Sequence, residues 1–248
     1  MVDLFNSDEE WIPPPQPNYS DNNGSVYRIP LFERTGPMPT DIIGRPILVS
    51  KFFGEIEIGT PPQKINTSFD TGSANILVPS QFCTNTSCVN RTLFFHENSS
   101  TKKDLMFPDL PDMAHFNESN REKVTIVFGT GEVVGHFMLD QVCLAEGLCN
   151  RTGVIAAVQR SDEPFIHLPF DGITGLALPK MAEAPAFSIL DVFWKAGLIK
   201  NQIFGAAMQA GNNPEITFGG YDSDRFEGDL VWSNLSSPHY WQVQVRFS

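Results

Sequence analysis

Asp70, Thr71, Gly72 and Ser73 close one apolar run, Ile65 to Phe69, and lead into another, Ile76 to Val78. A carboxylate fixed at such a turn can activate water. Gly72 can take backbone angles closed to larger residues and lets a substrate come near, and the hydroxyls of Thr71 and Ser73 can hydrogen-bond the carboxylate. Taken alone, Asp-Thr-Gly is also a common turn tripeptide. One carboxylate is a poor catalyst, so a partner has to be found. The other chemistries are thinly represented. The five histidines, at 96, 115, 136, 167 and 239, show no HExxH or similar ligand spacing, and the chain has no GxSxG or Walker motif. We read the histidines as surface or loop residues and expect no metal and no cofactor.

The four cysteines fall into two close pairs, Cys83 with Cys88 and Cys143 with Cys149. Four cysteines allow three connectivities, of which pairing near neighbours is the simplest, and the wide CxxxxC and CxxxxxC spacings suit a thiolate zinc site poorly. Asn-X-Ser/Thr sequons stand at Asn18, Asn23, Asn66, Asn85, Asn90, Asn98, Asn117, Asn150 and Asn234. Chance would give roughly two, so the excess points to the secretory pathway, ending outside the cell or in an acidic, lysosome- or vacuole-like compartment. Asn66 has the least room for a glycan. The N-terminal MVDLFNSDEEWIPPPQPNYS carries no basic n-region or apolar h-region, and no run is long enough to span a membrane. We therefore expect a chain that starts downstream of its natural beginning or comes from an incomplete gene product.

These residues need elements to position them. With 248 residues and 41% hydrophobic content the chain can bury a large core. Nineteen Pro, nineteen Gly and many short β-branched runs favour a mainly β fold. The net charge of -12 argues against nucleic acid or an anionic membrane as a partner. Residues 1–25 read as a solvated linker, and packed structure is expected from near Val49, where FFGEIEIGTPPQ alternates and then turns. Residues 96–123 read as a surface loop. VTIVFGTGEVVGHF reads as a hairpin with Gly129, Thr130 and Gly131 at its tip, able to bend over a cleft. A phosphate loop is excluded, since the spacing is GxGxxxG and strand follows where a helix is required. EAPAFSILDVFWKAGLI reads as a packing helix with Ile189, Leu190, Phe193 and Trp194 on one face. IFGAAMQ, EITFGGYD, DLVWSNL and YWQVQVRF read as strands.

From Ser50 to Val245 the chain resembles pepsin-like aspartic peptidases. FFGEIEIGTPPQ is similar to the family's opening strand, FDTGSANILVPS to its first active-site motif, CTNTSC to its small disulfide loop, FGTGEVVG to its flap and FDGITGLALP to the strand behind the active-site loop. ITFGGYDSDRFEGDL and YWQV resemble the passage into a second lobe. The resemblance implies a bilobal fold, truncated here, with a propeptide-like segment 1–47, a catalytic lobe 48–201 and the start of a second lobe 202–248. It implies hydrolysis of peptides or unfolded proteins by two aspartates that share a proton and hold a water, working best in acid. Asp70 would be the first-lobe aspartate, Ser73 its hydrogen-bonding neighbour, and Phe128 with Gly129, Thr130 and Gly131 the flap tip, closing over substrate. The family usually carries Tyr where Phe128 stands and Trp where Leu77 stands, side chains that commonly bond each other. Both polar groups are absent here, which suggests a repacked flap. VYRIPLFER resembles the start of an inhibitory propeptide, with a plain linker as the alternative.

The family's second Asp-Thr/Ser-Gly has no counterpart in these residues. Asp171 and Asp222 lack the motif, and a retroviral-type pairing of two identical short chains does not suit a match that runs past the first lobe. The chain as given is thus expected to be nearly inactive alone, with unpaired edges and a C-terminus prone to aggregate or to partial disorder, and the full-length protein to be monomeric. The rival readings are a non-catalytic peptide-binding module on a peptidase fold and a truncated product without function.

Overall fold

The computed structural model describes residues 26–38, 47–109, 121–128, 131–209 and 213–245. In chain order the strands are β1 (Tyr27–Pro30), β2 (Phe32–Met38), β3 (Ile47–Ile58), β4 (Gln63–Asp70), β5 (Ile76–Pro79) and β6 (Lys103–Asp104). They continue with β7 (Lys123–Phe128), β8 (Gly131–Ala145), β9 (Leu148–Arg160), β10 (Gly172–Gly175), β11 (Phe204–Ala207) and β12 (Glu215–Phe218). One α-helix, α1 (Ile189–Lys195), stands among the described residues beside several short 3-10 turns. The fold is mainly β.

The larger sheet runs β2-β3-β4-β10-β5-β9-β8-β6, with β7 on β8. It also curls back on itself, because β3 pairs β8 at Glu57↔Cys143 and Ile58↔Val142. That closure turns β3, β4, β10, β5, β9 and β8 into a ring around an apolar interior. Alternation along β4 sends Ile65, Thr67 and Phe69 inward, as a half-buried strand requires, whereas all four residues of β5 and of β10 are buried because those strands are covered on both faces. The two cystines close short loops, Cys83 to Cys88 and Cys143 to Cys149, as near-neighbour pairing predicts. A smaller sheet, β1-β12-β11, packs on the first through Phe218, whose ring lies 6.2 Å from that of Phe69.

Several expectations change. Packed structure is already present at Tyr27, ahead of Val49, since β1 finds β12 and β2 finds β3. The stretch 96–109 is no simple surface loop: His96 and Leu105 are buried and β6 joins β8. The helix is short, preceded by a 3-10 turn at Pro185–Phe187, and Trp194 is 44% exposed while Phe187 takes the inward place. It stops at Gly197, which adopts φ +71°, a left-handed conformation open to glycine. DLVWSNL and the described part of YWQVQVRF, residues 240–245, take no strand conformation, although Ser236 N–H, just after the first segment, donates to the Gln242 carbonyl in the second at 2.8 Å. No helix among the described residues is long and apolar enough to cross a membrane.

Candidate active site

The Asp70 turn is built by a strand from far along the chain. β10 lies between β4 and β5, parallel to the first and antiparallel to the second, with Gly175 opposite Asp70 and Ile173 opposite Leu77. Beyond the ladder, Leu176 N–H donates to the Asp70 carbonyl at 2.7 Å, Ala177 N–H to that of Ser73 at 2.8 Å, and Gly175 N–H to that of Asn75 at 3.0 Å. The turn is thereby bonded along its length. Gly175 could carry no side chain, since a Cβ there would lie 2.5 Å from backbone atoms of Ala74 and Asn75. One layer below, the hydroxyls of Thr67 and Thr174 meet at 2.8 Å, both fully buried.

This frame presents a half-buried carboxylate with both oxygens engaged. Gly72 N–H donates to Asp70 Oδ1 at 2.9 Å, and the Ser73 hydroxyl donates to Oδ2 at 2.7 Å. Thr71 differs from expectation: it is exposed, and the Gly72 amide supplies the bond anticipated from its hydroxyl. Gly72 does not use a left-handed backbone either. Its value lies in that amide and in the absence of a Cβ, which would stand 3.2 Å from Oδ1. Each carboxylate oxygen retains acceptor capacity, so the group can still bind a water.

The β7/β8 hairpin carries the flap expectation. Its register runs from Lys123↔His136 to Phe128↔Gly131, while Gly129, Thr130 and the Phe128 side chain lie outside the described residues. Near the tip, Glu132 N–H donates to Ser161 Oγ at 2.8 Å and Ser161 N–H returns to the Glu132 carbonyl at 2.9 Å. A Cβ on Gly131 would meet Phe165 and Pro164 at 2.7 Å, so the 163–170 segment presses directly against the hairpin. Leu77, 4% exposed, packs in an apolar cluster with Val133, Ile155, Phe165 and Ile173. No polar side chain is required there.

Two arginines unnoticed in the sequence shape that segment. Arg91 donates through Nη1 to the carbonyls of Leu168 (2.6 Å) and Phe170 (3.3 Å), and through Nη2 to those of Phe165 (2.9 Å) and Ile166 (3.2 Å). Arg160 is 5% exposed, donates to the Asp171 carbonyl at 2.8 Å and to the Ser87 carbonyl, and lies 5.2 Å from the Phe165 ring centre. Burial, with repulsion from Arg91 second, pushes its guanidinium down to about 10 against the pull of Asp171, which leaves it charged. No short motif announces such residues, because their partners are carbonyls of a distant loop.

The other candidate aspartates are committed elsewhere. Asp171 precedes β10 at the end opposite Gly175, about 13 Å of strand from it, and its Oδ1 accepts Thr92 N–H at 3.1 Å. Asp222 pairs with Arg28 at 3.4 Å and accepts Asp224 N–H at 3.0 Å, contacts that hold its carboxyl below the ordinary range, the backbone bond most of all. His96, expected at the surface, is buried, with Nε2 3.2 Å from Ser80 Oγ. Trp241 reaches back to the site, donating from Nε1 to the Leu176 carbonyl at 2.8 Å. Among the described residues no group of three His, Cys, Asp or Glu could hold a metal.

Comparison with known proteins agrees with this geometry. The family model described as "Eukaryotic aspartyl protease" matches residues 51–247. Relatives include pepsin A of Suncus murinus, 34% identical over 79% of this chain and 47% of its own length. Cathepsin E of Cavia porcellus is 34% identical over the same shares, and pepsin II-2/3 of Oryctolagus cuniculus 32% over 80% of this chain and 48% of its own. The chain thus spans about half the length of the curated relatives it matches.

Proposed function

Since the chain belongs to the eukaryotic aspartyl protease family, we propose that it supplies one half of a two-aspartate endopeptidase site, with Asp70 as its catalytic carboxylate. The observation that carries this reading is the engagement of both Asp70 oxygens, by the Gly72 amide and the Ser73 hydroxyl, at the end of a strand locked between β3 and β10. Such a carboxylate can take a proton from a bound water while a second carboxylic acid protonates the peptide carbonyl. Two carboxyl groups sharing one proton repel a second ionisation, which places the working range in acid. No second Asp-Thr/Ser-Gly occurs in these 248 residues. The partner carboxylate on this reading lies outside them.

The substrates are extended peptides or unfolded proteins, laid between the Asp70 turn and the β7/β8 hairpin, whose tip, Phe128 to Gly131, acts as the flap. Residues 1–47 form a propeptide-like segment, 48–201 the catalytic lobe and 202–248 the start of a second lobe, in a protein that works as a monomer. The two cystines and the sequons support a secretory route to the cell exterior or an acidic compartment.

The test compares this chain with a longer polypeptide that joins it to a second Asp-Thr/Ser-Gly lobe. The longer protein is expected to cleave a denatured substrate between roughly pH 3 and 6, to be blocked by pepstatin and to lose activity in Asp70→Ala. No cleavage, or cleavage indifferent to that substitution, overturns the enzyme reading in favour of a peptide-binding module.

A further inference from the structure

The pattern Phe-X-X-Asn-X-Ser occurs twice after β5, from Phe82 to Ser87 and from Phe95 to Ser100. A parallel bridge between Ser80 and Phe94 lays the two stretches side by side, and the Phe82 ring meets the His96 ring edge-on at 5.3 Å. Phe82 and Phe95 are 51% and 48% exposed. Phenyl rings left in water carry an unfavourable hydration cost, which a group laid on the ring removes.

At the second copy the geometry is specific. Asn98 N–H donates to the Phe95 carbonyl at 2.9 Å, closing a 3-10 turn over His96–Asn98. Phe95 caps that turn and Asn98 ends it, and both side chains are exposed, three residues apart on a short, tightly bonded segment. The platform is rigid. A single side chain brackets the Phe95 backbone, with Gln63 Nε2 donating to its carbonyl at 3.0 Å and its N–H donating to Gln63 Oε1 at 2.9 Å. From within, His96 is buried and Ser99 Oγ–H donates to Asp140 at 3.0 Å, while Asn98 faces solvent.

Three other sequons are placed differently. Asn66 lies inside β4, between β3 and β10. Asn150 has its Oδ1 bonded by Arg151 N–H at 2.8 Å and its Thr152 fully buried. Asn85 sits in the disulfide loop with its Oδ1 accepting Arg160 N–H at 3.1 Å and its Ser87 buried.

We propose that Asn98 carries an N-linked glycan whose first N-acetylglucosamine lays its apolar face on the Phe95 ring. The donor is a lipid-pyrophosphate-linked oligosaccharide of the secretory pathway, and the inference rests on that part of the reading above. The Asn98 amide nitrogen loses a proton and bonds the anomeric carbon of the sugar, the bond from that carbon to the pyrophosphate breaks, and the lipid pyrophosphate leaves with the electron pair. Stacking then removes from water an aromatic face that the fold itself leaves bare.

The chain, joined to an export leader, is secreted from a eukaryotic host and treated with peptide N-glycosidase in heavy-oxygen water, which labels each asparagine that bore a glycan. Most Asn98 peptides are expected to be labelled and Asn66 unlabelled. Asn98→Gln should lower the melting temperature by a few degrees in the wild type and in Phe95→Tyr, and not in Phe95→Leu. A bare Asn98 beside a labelled Asn90 or Asn234 overturns the proposal alone. A chain bare at every sequon overturns it together with the secretory reading. A melting shift that persists in Phe95→Leu overturns the ring contact.

Discussion

The Thr67–Thr174 hydroxyl pair offers a quantitative test of how the Asp70 turn is supported. Both side chains are fully buried and their oxygens are 2.8 Å apart. Replacing either with the nearly isosteric Val removes one hydroxyl and orphans the other, at a cost of about 1–3 kcal/mol. Replacing both removes the orphan as well, so the double variant should return to within about 1 kcal/mol of the wild type. For a chain of this size a 2 kcal/mol loss lowers the melting temperature by about 4–8 °C. Denaturant unfolding of the wild type, Thr67→Val, Thr174→Val and the double variant closes a cycle whose coupling energy is expected near 2 kcal/mol or more. If the two losses simply add, each hydroxyl has a separate partner and the reasoning fails. If neither single variant is destabilised, the pair does not hold the frame.

In the active longer protein, Ser73→Ala frees Asp70 Oδ2 and should lower kcat by about tenfold or more with little change in KM, the pattern of a positioning residue. Gly175→Ala forces a Cβ to within 2.5 Å of the Ala74–Asn75 backbone and should destabilise the lobe by about 1–3 kcal/mol or more, read as loss of soluble, cooperatively unfolding protein. His96 is held down to about 4 by burial first, then by Lys102, Arg121 and His136, with Asp104 opposing. Its unfolded form titrates near 6.5, so between about pH 6.5 and 4 the unfolded chain binds a proton that the folded chain refuses. Stability should therefore fall as pH drops through that window and flatten below it, whereas His96→Gln should lessen the slope in melting temperature against pH.

The Asp70 turn, the β7/β8 hairpin and both cystines were legible in the sequence because each is a local pattern, an apolar run into a turn, a glycine tip or a close cysteine pair. The occupant of the space beside Asp70 was only half legible. Gly172–Gly175 is covered on both faces and so shows no alternation, and nothing in GITG names Thr67 as the partner of Thr174. The Gly72 amide was overlooked because every residue but proline carries one, and only the turn's geometry selects it over the Thr71 hydroxyl. His96 was misplaced for a similar reason: its burial depends on the Ser80↔Phe94 bridge. The segments DLVWSNL and YWQVQVRF have strand composition, but composition cannot supply the neighbour a strand needs.

Inserting β10 between β4 and β5 also imposes an order of events. Thr67 and Thr174 lie 107 residues apart, so at synthesis rates of roughly 5–20 residues per second the ribosome delivers the Asp70 turn some 5–20 s before the strand that braces it. During that interval the edges of β4 and β5 facing the gap remain open. A nascent chain of this protein thus passes through a window in which a chaperone, or a neighbouring nascent strand, can occupy the slot that β10 later fills.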